Sequence, residues 1–237
     1  MRHTRQMPVF GHEGQRRIED ANVAVVGLGG LGCNVITQLA SAGVGRLTVV
    51  DHQYPDETNL NRQFVYSFFG LKDKKTASSE EWVKRISGSS VTVKEMKVTR
   101  DNVSALRGCG VIVDCTDNTE ARMTLNRFSL DSGTPLVYGG VESMFGQVSV
   151  IIPGVTPCLN CFLPKGRRTD VPPSVGSVVS VIAGIQSTEA LKLITGTGET
   201  LAGKLLTVDA GNNAYRVISI ARDEKCPECG DVAERSV

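Results

Sequence analysis

The chain has 237 residues and a formal net charge of +1, from 26 Lys and Arg against 25 Asp and Glu. Proteins that coat nucleic acid carry a strong basic excess, so this balance argues against a nucleic-acid partner. The first 20 residues lack the apolar core of a signal peptide, and no apolar run reaches the length that crosses a bilayer, so we expect a cytoplasmic protein without a membrane partner.

The first half of the chain alternates predicted strands with predicted helices. Short apolar, β-branched runs predict strands, and longer amphipathic runs predict helices. The predicted strands are 22–26, 46–50, 91–98, 111–113 and 135–138, and the predicted helices are 33–42, 73–87, 102–107 and 119–132. This alternation predicts an α/β fold with a Rossmann-like, doubly wound, mostly parallel sheet.

The second half of the chain changes character. Its predicted elements are an antiparallel strand at 147–152, a long loop at 153–174, a helix at 175–194 and two paired strands at 205–209 and 215–220. We expect one domain over 1–237, in which a nucleotide-binding half (1–140) continues into a second half (141–237) with added antiparallel strands.

A glycine-rich turn follows the first predicted strand and opens a helix. Its four glycines are Gly27, Gly29, Gly30 and Gly32. Such a turn lets backbone N–H groups approach a phosphate at the helix N-terminus, where the helix dipole favours anions. Asp51 ends the next predicted strand, where dinucleotide folds place the acid that binds the ribose. This context predicts nucleotide binding, of NAD or ATP, over a purely structural turn.

A loop rich in cations follows Asp51. Its polar and basic residues are Asn59, Arg62, Gln63, Lys72, Lys74 and Lys75. If Asp51 holds the ribose, this loop lies near the phosphates, where Arg and Lys neutralise a triphosphate and the departing pyrophosphate. NAD needs no such density of cations. Taken alone, the same cluster is equally typical of a solvated basic surface.

The segment 114–118, Asp-Cys-Thr-Asp-Asn, closes a buried predicted strand. Carboxylates at that end of a parallel sheet face the ligand crevice. Asp117 is the candidate Mg²⁺ ligand, since Mg²⁺ binds through one or two carboxylates together with substrate phosphates. Asp114 is more typical of an acid that closes a strand or caps the next turn.

Two Cys-x-x-Cys pairs supply four thiolates, enough for a closed tetrahedral zinc site. The four candidate ligands are Cys158, Cys161, Cys226 and Cys229. Such a site would tie the end of the chain to its middle. A redox dithiol and an iron–sulfur cluster are the alternatives. The other three cysteines, Cys33, Cys109 and Cys115, lie in apolar stretches and are interpreted as core residues.

Together these motifs resemble one family, the ubiquitin-activating-enzyme-like adenylyltransferases of the molybdopterin-synthase, thiamine sulfur-carrier and HesA types. The resemblance is carried, in order, by Gly27-Leu-Gly-Gly-Leu-Gly32, Asp51, Asn59-Leu-Asn-Arg-Gln63, Lys75, Asp114-Cys-Thr-Asp-Asn118 and the two cysteine pairs. It runs from about Arg2 to Cys229, nearly the whole chain.

The resemblance implies a specific reaction. The partner is a small β-grasp, ubiquitin-like sulfur carrier that ends in Gly-Gly, and its C-terminal carboxylate attacks the α-phosphate of ATP and releases pyrophosphate. The implied cofactors and substrate are Zn²⁺, Mg²⁺ and ATP.

The resemblance also assigns roles to single residues. It implies Asp51 for the ribose, Arg62 and Lys75 for the phosphates and Asp117 for Mg²⁺, with Lys74 as the alternative to Lys75. The nucleotide-binding set is completed by the four glycines with Asn59, Gln63 and Asn118.

The start of the chain adds a further expectation. The segment Arg2-His-Thr-Arg5-Gln6 resembles a family motif whose second Arg reaches the phosphates of the other subunit, which implies a homodimer with Arg5 acting in trans. A loosely held basic terminus is the alternative.

One position departs from the family pattern. Many relatives carry a cysteine in the loop before the second-half helix, whereas Thr169 aligns with that position here. We therefore expect adenylation without a covalent intermediate on a loop cysteine.

Three other functions compete with this reading. They are the adenylation of a different carboxylate, such as a peptide C-terminus or a tRNA-linked carboxylate, an NAD-dependent oxidoreductase on the same half-fold, and a non-catalytic nucleotide-binding scaffold. Mass analysis of the product, thermal-shift preference and exchange assays separate them.

Overall fold

The computed structural model describes residues 2–163 and 173–230 of the chain. Within these residues, eight strands form one sheet in the order β3-β2-β1-β4-β5-β6-β7-β8. In chain order they are β1 (Asn22–Val26), β2 (Arg46–Asp51), β3 (Ser90–Glu95), β4 (Val111–Asp114), β5 (Leu136–Glu142), β6 (Phe145–Ile151), β7 (Lys204–Asp209) and β8 (Ala214–Ser219).

The pairing of neighbouring strands changes once from parallel to antiparallel, as the sequence predicts. Strands β1 to β5 pair in parallel, and β6, β7 and β8 continue from β5 by antiparallel pairing. This is the predicted α/β architecture, a doubly wound parallel sheet with added antiparallel strands. Because β5 spans the boundary between the two predicted halves, the sheet runs unbroken from one half into the other.

Six α-helices surround the sheet within the described residues. They are α1 (Met7–Asp20), α2 (Gly30–Ala42), α3 (Lys75–Ile86), α4 (Thr119–Ser132), α5 (Leu159–Phe162) and α6 (Gly176–Thr195). Short 3₁₀ helices occupy Glu57–Asn59, Phe64–Phe68 and Val103–Leu106.

The two faces of the sheet bury separate hydrophobic clusters. On β1, Val23 and Val25 belong to the cluster under α2 and α6, while Ala24 and Val26 belong to the cluster under α4. This split follows from the alternation of side chains along a strand. Strands buried on both faces read as continuous apolar runs, which is why β1 and β4 are evident in the sequence.

Helix α6 corrects one expectation about membranes. Gly176–Thr195 has 20 residues and a mean hydropathy of 1.3 in its most apolar window, so by length and composition alone it meets the requirement for a bilayer span. In the fold it packs against α1, α2 and strands β4 to β6, and Gln186 and Glu189 are buried along it. Its apolar character is thus accounted for by burial in the core.

Several element boundaries differ from those predicted. Helix α1 was not predicted, because it is mostly polar, is interrupted at Gly11 (φ 69°) and buries few residues. Helix α2 begins three residues before the predicted start, at Gly30, and β5 continues through Gly139 and Gly140 to Glu142. The predicted long loop contains the short helix α5, and Thr169 lies outside the described residues.

Candidate nucleotide site and cysteine cluster

A cleft of roughly 1030 Å³ opens at the carboxyl ends of the parallel strands. Its wall includes the glycine turn after β1, Asp51 at the end of β2, the segment 115–119 after β4, and Gly140 of β5. Open parallel sheets bind ligands at this edge, where the strand order reverses between β1 and β4. The fold therefore brings most of the predicted site residues to one cavity.

The glycine turn has the conformation that its sequence predicts. Gly27 has φ +87°, and a Cβ there would lie 2.7 Å from the carbonyl oxygen of Cys115. A Cβ on Gly32 would overlap the carbonyl oxygen of Gly27, so only glycine lets α2 start this close to the turn. Helix α2 has no side-chain cap at Gly29, which leaves backbone N–H groups of its first turn for an anion.

The four glycines do not share one role. Among the described residues, Gly27, Gly29 and Gly30 line the cleft and Gly32 does not. Nucleotide contact by Gly32 therefore stays a prediction. Its lack of a side chain serves the packing of α2 on the turn.

Asp51 is buried and organises the backbone around the cleft. Its Oδ2 accepts a hydrogen bond from Leu28 N at 2.7 Å, and its Oδ1 accepts from His52 N at 2.7 Å and Gln53 N at 2.8 Å. The carboxylate thus joins the glycine turn to the end of β2 while remaining in the cleft wall.

Lys75 lies in the cleft wall at the start of α3. Its side chain is 3% exposed, and Nζ donates to Gln53 Oε1 at 3.0 Å. Burial lowers the pKa of Lys75 below its ordinary value, while the carboxylates of Asp51 and Asp117 act in the opposite direction. A buried ammonium with one neutral partner is prepared to bind an anion.

Lys74 turns away from the cleft. Its ammonium donates to His52 O at 3.0 Å, lies 3.4 Å from Glu95 Oε1 and sits 4.3 Å from the centre of the Tyr54 ring. Of the two candidate lysines, the structure places Lys75 at the cavity.

The polar loop after β2 forms a further part of the cleft wall. Asn59 closes a capping box with Asp56, and Arg62 Nη1 donates to Thr58 O at 3.1 Å and to Asn61 Oδ1 at 2.8 Å. Both Asn59 and Arg62 line the cleft. The loop is thus ordered by its own hydrogen bonds and presents a cation to the cavity.

Gln63 lies beside the glycine turn with an unmet acceptor. Its side chain is buried and lines the cleft, and its Oε1 has no hydrogen-bond partner among the described residues. A buried acceptor without a partner destabilises the fold unless a ligand or water supplies a donor.

The segment after β4 divides its polar side chains between structure and cavity. Asn118 caps α4, its Oδ1 accepting from Ala121 N at 2.9 Å, and its Nδ2 lies 3.5 Å from Asp117 Oδ1. Asp117 is exposed and lines the cleft, as a carboxylate that binds a metal–phosphate complex would require. Asn118 lines the cleft as well, although its oxygen is committed to the cap.

Arg122 is a cleft residue that the sequence analysis missed. Its Nε lies 3.2 Å from Asp114 Oδ2, its Nη2 donates to Thr116 O at 2.7 Å, and its guanidinium lies 4.8 Å from the centre of the Tyr138 ring. On an amphipathic helix a single Arg is typical of a solvated face. The signal in the sequence is Asp114, because an acid that closes a buried strand needs a partner cation.

Arg5 is not brought to the cleft by its own chain. The neighbouring Gln6 donates through Nε2 to Ala42 O at 2.7 Å, at the C-terminus of α2. The glycine turn is at the other end of that 13-residue helix, about 20 Å away at 1.5 Å per residue. Arg5 itself is exposed.

The four cysteines of the two pairs converge beneath α4. Their sulfur atoms all lie within 4.8 Å of one another, with Cys158 Sγ 3.7 Å from Cys226 Sγ and Cys161 Sγ 3.5 Å from Cys229 Sγ. Disulfides require about 2.05 Å. Four thiolates bonded to zinc at 2.3 Å in a tetrahedron lie about 3.8 Å apart, so the arrangement fits a structural zinc ion.

The remaining cysteines are buried in the core. Cys33 lies under the turn, and burial raises its pKa to about 12, while burial also raises the pKa of Cys115 and Cys109. Thiols with raised pKa values are poor nucleophiles at neutral pH. Their geometry agrees with the interpretation as core residues.

Comparisons with known proteins agree with this geometry. Residues 2–228 match the model of the ThiF family. The chain is 34% identical to the sulfur carrier protein adenylyltransferase of Thermus thermophilus, over 97% of this chain and 90% of that protein. It is 33% identical to the molybdopterin-synthase adenylyltransferase of Salmonella typhimurium, over 97% of this chain and 96% of that protein.

A solved structure shows the same fold at low sequence identity. The structure of Escherichia coli MccB with ATP superposes with a TM-score of 0.89, at 19% identity, over 97% of this chain and 74% of that one. At this identity the likeness concerns the fold alone.

Proposed function

The chain belongs to the ThiF family and is an adenylyltransferase, and from this premise we propose that it adenylates the C-terminal Gly-Gly carboxylate of a small, ubiquitin-like sulfur carrier with ATP. The product would serve sulfur transfer to a cofactor, of the molybdopterin or thiamine type, or the activation of a ubiquitin-like protein. Similar proteins are named as adenylyltransferases of sulfur carriers and of molybdopterin synthase.

One observation carries the proposal. Around a single cleft, the uncapped N-terminus of α2 stands beside two cations, Arg62 and the buried Lys75, and one exposed carboxylate, Asp117. A dinucleotide cofactor needs the helix N-terminus but not two cations and a metal-binding acid. The combination suits a triphosphate with Mg²⁺.

The reaction would proceed by direct displacement. A carboxylate oxygen of the carrier forms a bond to the α-phosphorus, and the bond from that phosphorus to the bridging oxygen of the β-phosphate breaks, so that pyrophosphate leaves with its electron pair. Negative charge grows on the departing oxygen. Lys75 and Arg62 stabilise that charge. Because the charge is larger in the transition state than in bound ATP, this interaction raises the reaction rate and not only the affinity for ATP.

Magnesium would be held by Asp117 together with phosphate oxygens. When bound, it supplies further neutralisation of the phosphates. The proximity of the Asp117 carboxylate to the Lys75 ammonium keeps the two charges balanced before substrate binds.

The carrier would dock on the sheet face that continues from the cleft into the second half. Phe145 and Gln147 of β6 line the cleft, and Gln147 is in register with Thr207 of β7, which is in register with Arg216 of β8. This row forms a track from the edge of the sheet to the cavity. An extended Gly-Gly tail lying on it would bring its carboxylate toward the glycine turn.

We further propose that zinc occupies the cysteine cluster and that the enzyme works in the cytoplasm. A structural, closed site is supported by four sulfur atoms with no oxygen or histidine ligand among the described residues around them. Seven unbridged cysteines are in keeping with a reducing compartment.

The decisive experiment is ATP–pyrophosphate exchange with radiolabelled pyrophosphate. Exchange should require a Gly-Gly-ended carrier, fall steeply in Lys75→Ala and persist in the matched control Lys74→Ala. Mass analysis of the adenylated product then distinguishes a carrier protein from a peptide or a tRNA-linked carboxylate. The proposal fails if ATP binds but no carrier supports exchange, and a thermal shift with NAD and none with Mg-ATP would favour an oxidoreductase.

A further inference from the structure

Asn126 carries an unpaired amide next to the cysteine cluster. It lies on α4, its side chain is 0% exposed, and its Nδ2 has no hydrogen-bond partner among the described residues. A buried amide N–H without a partner loses the hydrogen bonds that it makes to water in the unfolded chain, so it destabilises the fold. A fold keeps such a group where a ligand or ion outside the protein chain completes its surroundings.

The orientation of this amide is fixed by its other end. Asn126 Oδ1 accepts a hydrogen bond from Leu159 N at 2.9 Å, and a backbone N–H can only donate, so the atom facing it must be the oxygen. Nδ2 is therefore the free end, beside the residue that precedes Leu159. That residue is Cys158, one of the four candidate zinc ligands.

A second asparagine already makes the contact that Asn126 lacks. Asn160 Nδ2 donates to Cys226 Sγ at 3.4 Å. Asn160 and Asn126 thus flank the pair Cys158 and Cys226, whose sulfur atoms are 3.7 Å apart. The two amides come from different elements, one from α4 and one from α5 between the first two cysteines.

We propose that Asn126 donates a hydrogen bond from Nδ2 to the Cys158 thiolate when the cluster holds zinc, and that it and Asn160 together are the side-chain donors that stabilise the metal-bound sulfurs. Zinc with four thiolates carries a net charge of about −2, and most of its sulfurs are buried here. Charge in an apolar environment is costly without hydrogen bonds, and outer-shell donors of this kind hold metal ligands in place. This inference rests on the proposed zinc site and is independent of adenylation.

The test uses the unaltered full-length protein loaded with the NMR-active isotope of cadmium, which replaces zinc at thiolate sites. Scalar coupling from cadmium to a proton passes through an N–H···S hydrogen bond, so cross-peaks report which amides donate to bound sulfur. We expect cross-peaks to the side-chain amide protons of both Asn126 and Asn160. Cross-peaks to backbone amides and to Asn160 but not to Asn126 would overturn the assignment.

Variants supply an independent measurement. Asn126→Asp keeps the acceptor for Leu159 N but removes the donor, and it should weaken zinc about tenfold to a hundredfold, as measured by transfer to a chromophoric chelator. Asn102→Asp, at a half-buried asparagine that bonds within its own loop, is the control and should leave zinc affinity unchanged. Equal affinity in Asn126→Asp and the parent would contradict the proposal.

The two proposals fail in different ways. A chain that takes up no zinc or cadmium would overturn both the zinc site and the role of Asn126. A chain that binds one metal ion in the cluster, without the Asn126 cross-peak, keeps the zinc site and loses only this inference. Neither result bears on ATP–pyrophosphate exchange.

Discussion

Arg122 on α4 donates to Asp114 at the end of β4, with Nε 3.2 Å from Oδ2, and no part of the Asp114 side chain is exposed to solvent. The other oxygen of Asp114 accepts from the amide and hydroxyl of Thr116, at 2.9 and 2.6 Å. The pair therefore fixes the backbone that leads to Asp117. A buried ion pair at this point links the strand, the helix and the segment that faces the nucleotide.

Removing Arg122 should be costly because it leaves a buried carboxylate without its cation. We expect Arg122→Ala to lower the free energy of unfolding by about 3–5 kcal/mol in urea denaturation. Arg127→Ala on the same helix is the matched control, since Arg127 forms partly exposed ion pairs with Asp131 and Glu228 and each should contribute under about 1 kcal/mol. Equal decreases in the free energy of unfolding in the two variants would show that the buried pair with Asp114 stabilises the fold no more than a surface ion pair does.

Glycine at position 32 is required by packing, and this is testable without any ligand. A Cβ there overlaps the carbonyl oxygen of Gly27, whereas a Cβ on Gly29 would meet Gln63 Nε2 at 3.7 Å, an ordinary contact distance. We expect Gly32→Ala to prevent cooperative folding or to lower the melting temperature strongly, and Gly29→Ala to melt near the parent, in calorimetry. A normal melting curve for Gly32→Ala would contradict the close approach of α2 to the turn.

The local parts of the site are those that sequence reasoning can predict. The strand, the glycine turn, the helix and Asp51 follow one another within 30 residues, from 22 to 51, and each constrains the next. The four cysteines are predictable for another reason, since sulfur ligands come in recognisable pairs. In both cases the chemistry is written in residue type and spacing.

The parts that escaped prediction depend on contacts distant in sequence. Strand β5 continues through Gly139, which the sequence suggests as a strand end. The residue is glycine because a Cβ there would collide with the side chain of Gln186 on α6. Arg122 looked like a surface cation because its partner, Asp114, lies at the end of β4 and not on the same helix. No helical spacing therefore relates the two residues in the sequence. The predicted role of Arg5 stays a prediction, since its placement relative to a cleft depends on the assembly.

The depressed pKa of Lys75 predicts how activity depends on pH. Burial lets the ammonium lose its proton below the ordinary lysine value, so the KM for ATP should rise on the alkaline side at a pH below about 10.5. Bound phosphates oppose that loss. Lys75→Arg keeps a charge that does not titrate and should remove this limb, whereas Lys74→Ala should retain it; a limb that survives in Lys75→Arg would assign it to another group.

The same shift has a consequence for stability. Between the folded pKa of Lys75 and about 10.5, the unfolded chain binds more protons than the folded one, so this residue makes stability rise with pH in that window. Urea midpoints of the parent and of Lys75→Met across that range measure the effect. We expect the difference between the two to shrink as the parent's lysine loses its proton.

Loss of the metal should release the end of the described chain. Cys226 and Cys229 join Cys158 and Cys161, which lie 65 or more positions earlier in the sequence, and so tie the segment after β8 to the middle of the chain. We expect Cys226→Ser to lower the zinc content well below one ion per chain and to make residues after 220 sensitive to limited proteolysis. Cys109→Ser, at a buried cysteine that donates to Thr48 Oγ1 outside the cluster, should keep its zinc; normal zinc in both variants would remove the assignment.

The chain next to Arg5 is held at the end of α2 that lies about 20 Å from the glycine turn, and this placement predicts complementation between two inactive variants. If the protein is a homodimer and Arg5 serves the partner's cleft, then Arg5→Ala and Lys75→Ala are each inactive, but a hybrid dimer has one site with both residues intact. Mixing the variants in equal amounts under exchange of subunits should restore about a quarter of the parent's ATP–pyrophosphate exchange, because half of the dimers are hybrid and each has one working site of two. Mixing Arg5→Ala with itself is the control. Failure to recover activity, with hybrid dimers shown by mass spectrometry, would place Arg5 outside the reaction or in its own subunit's site.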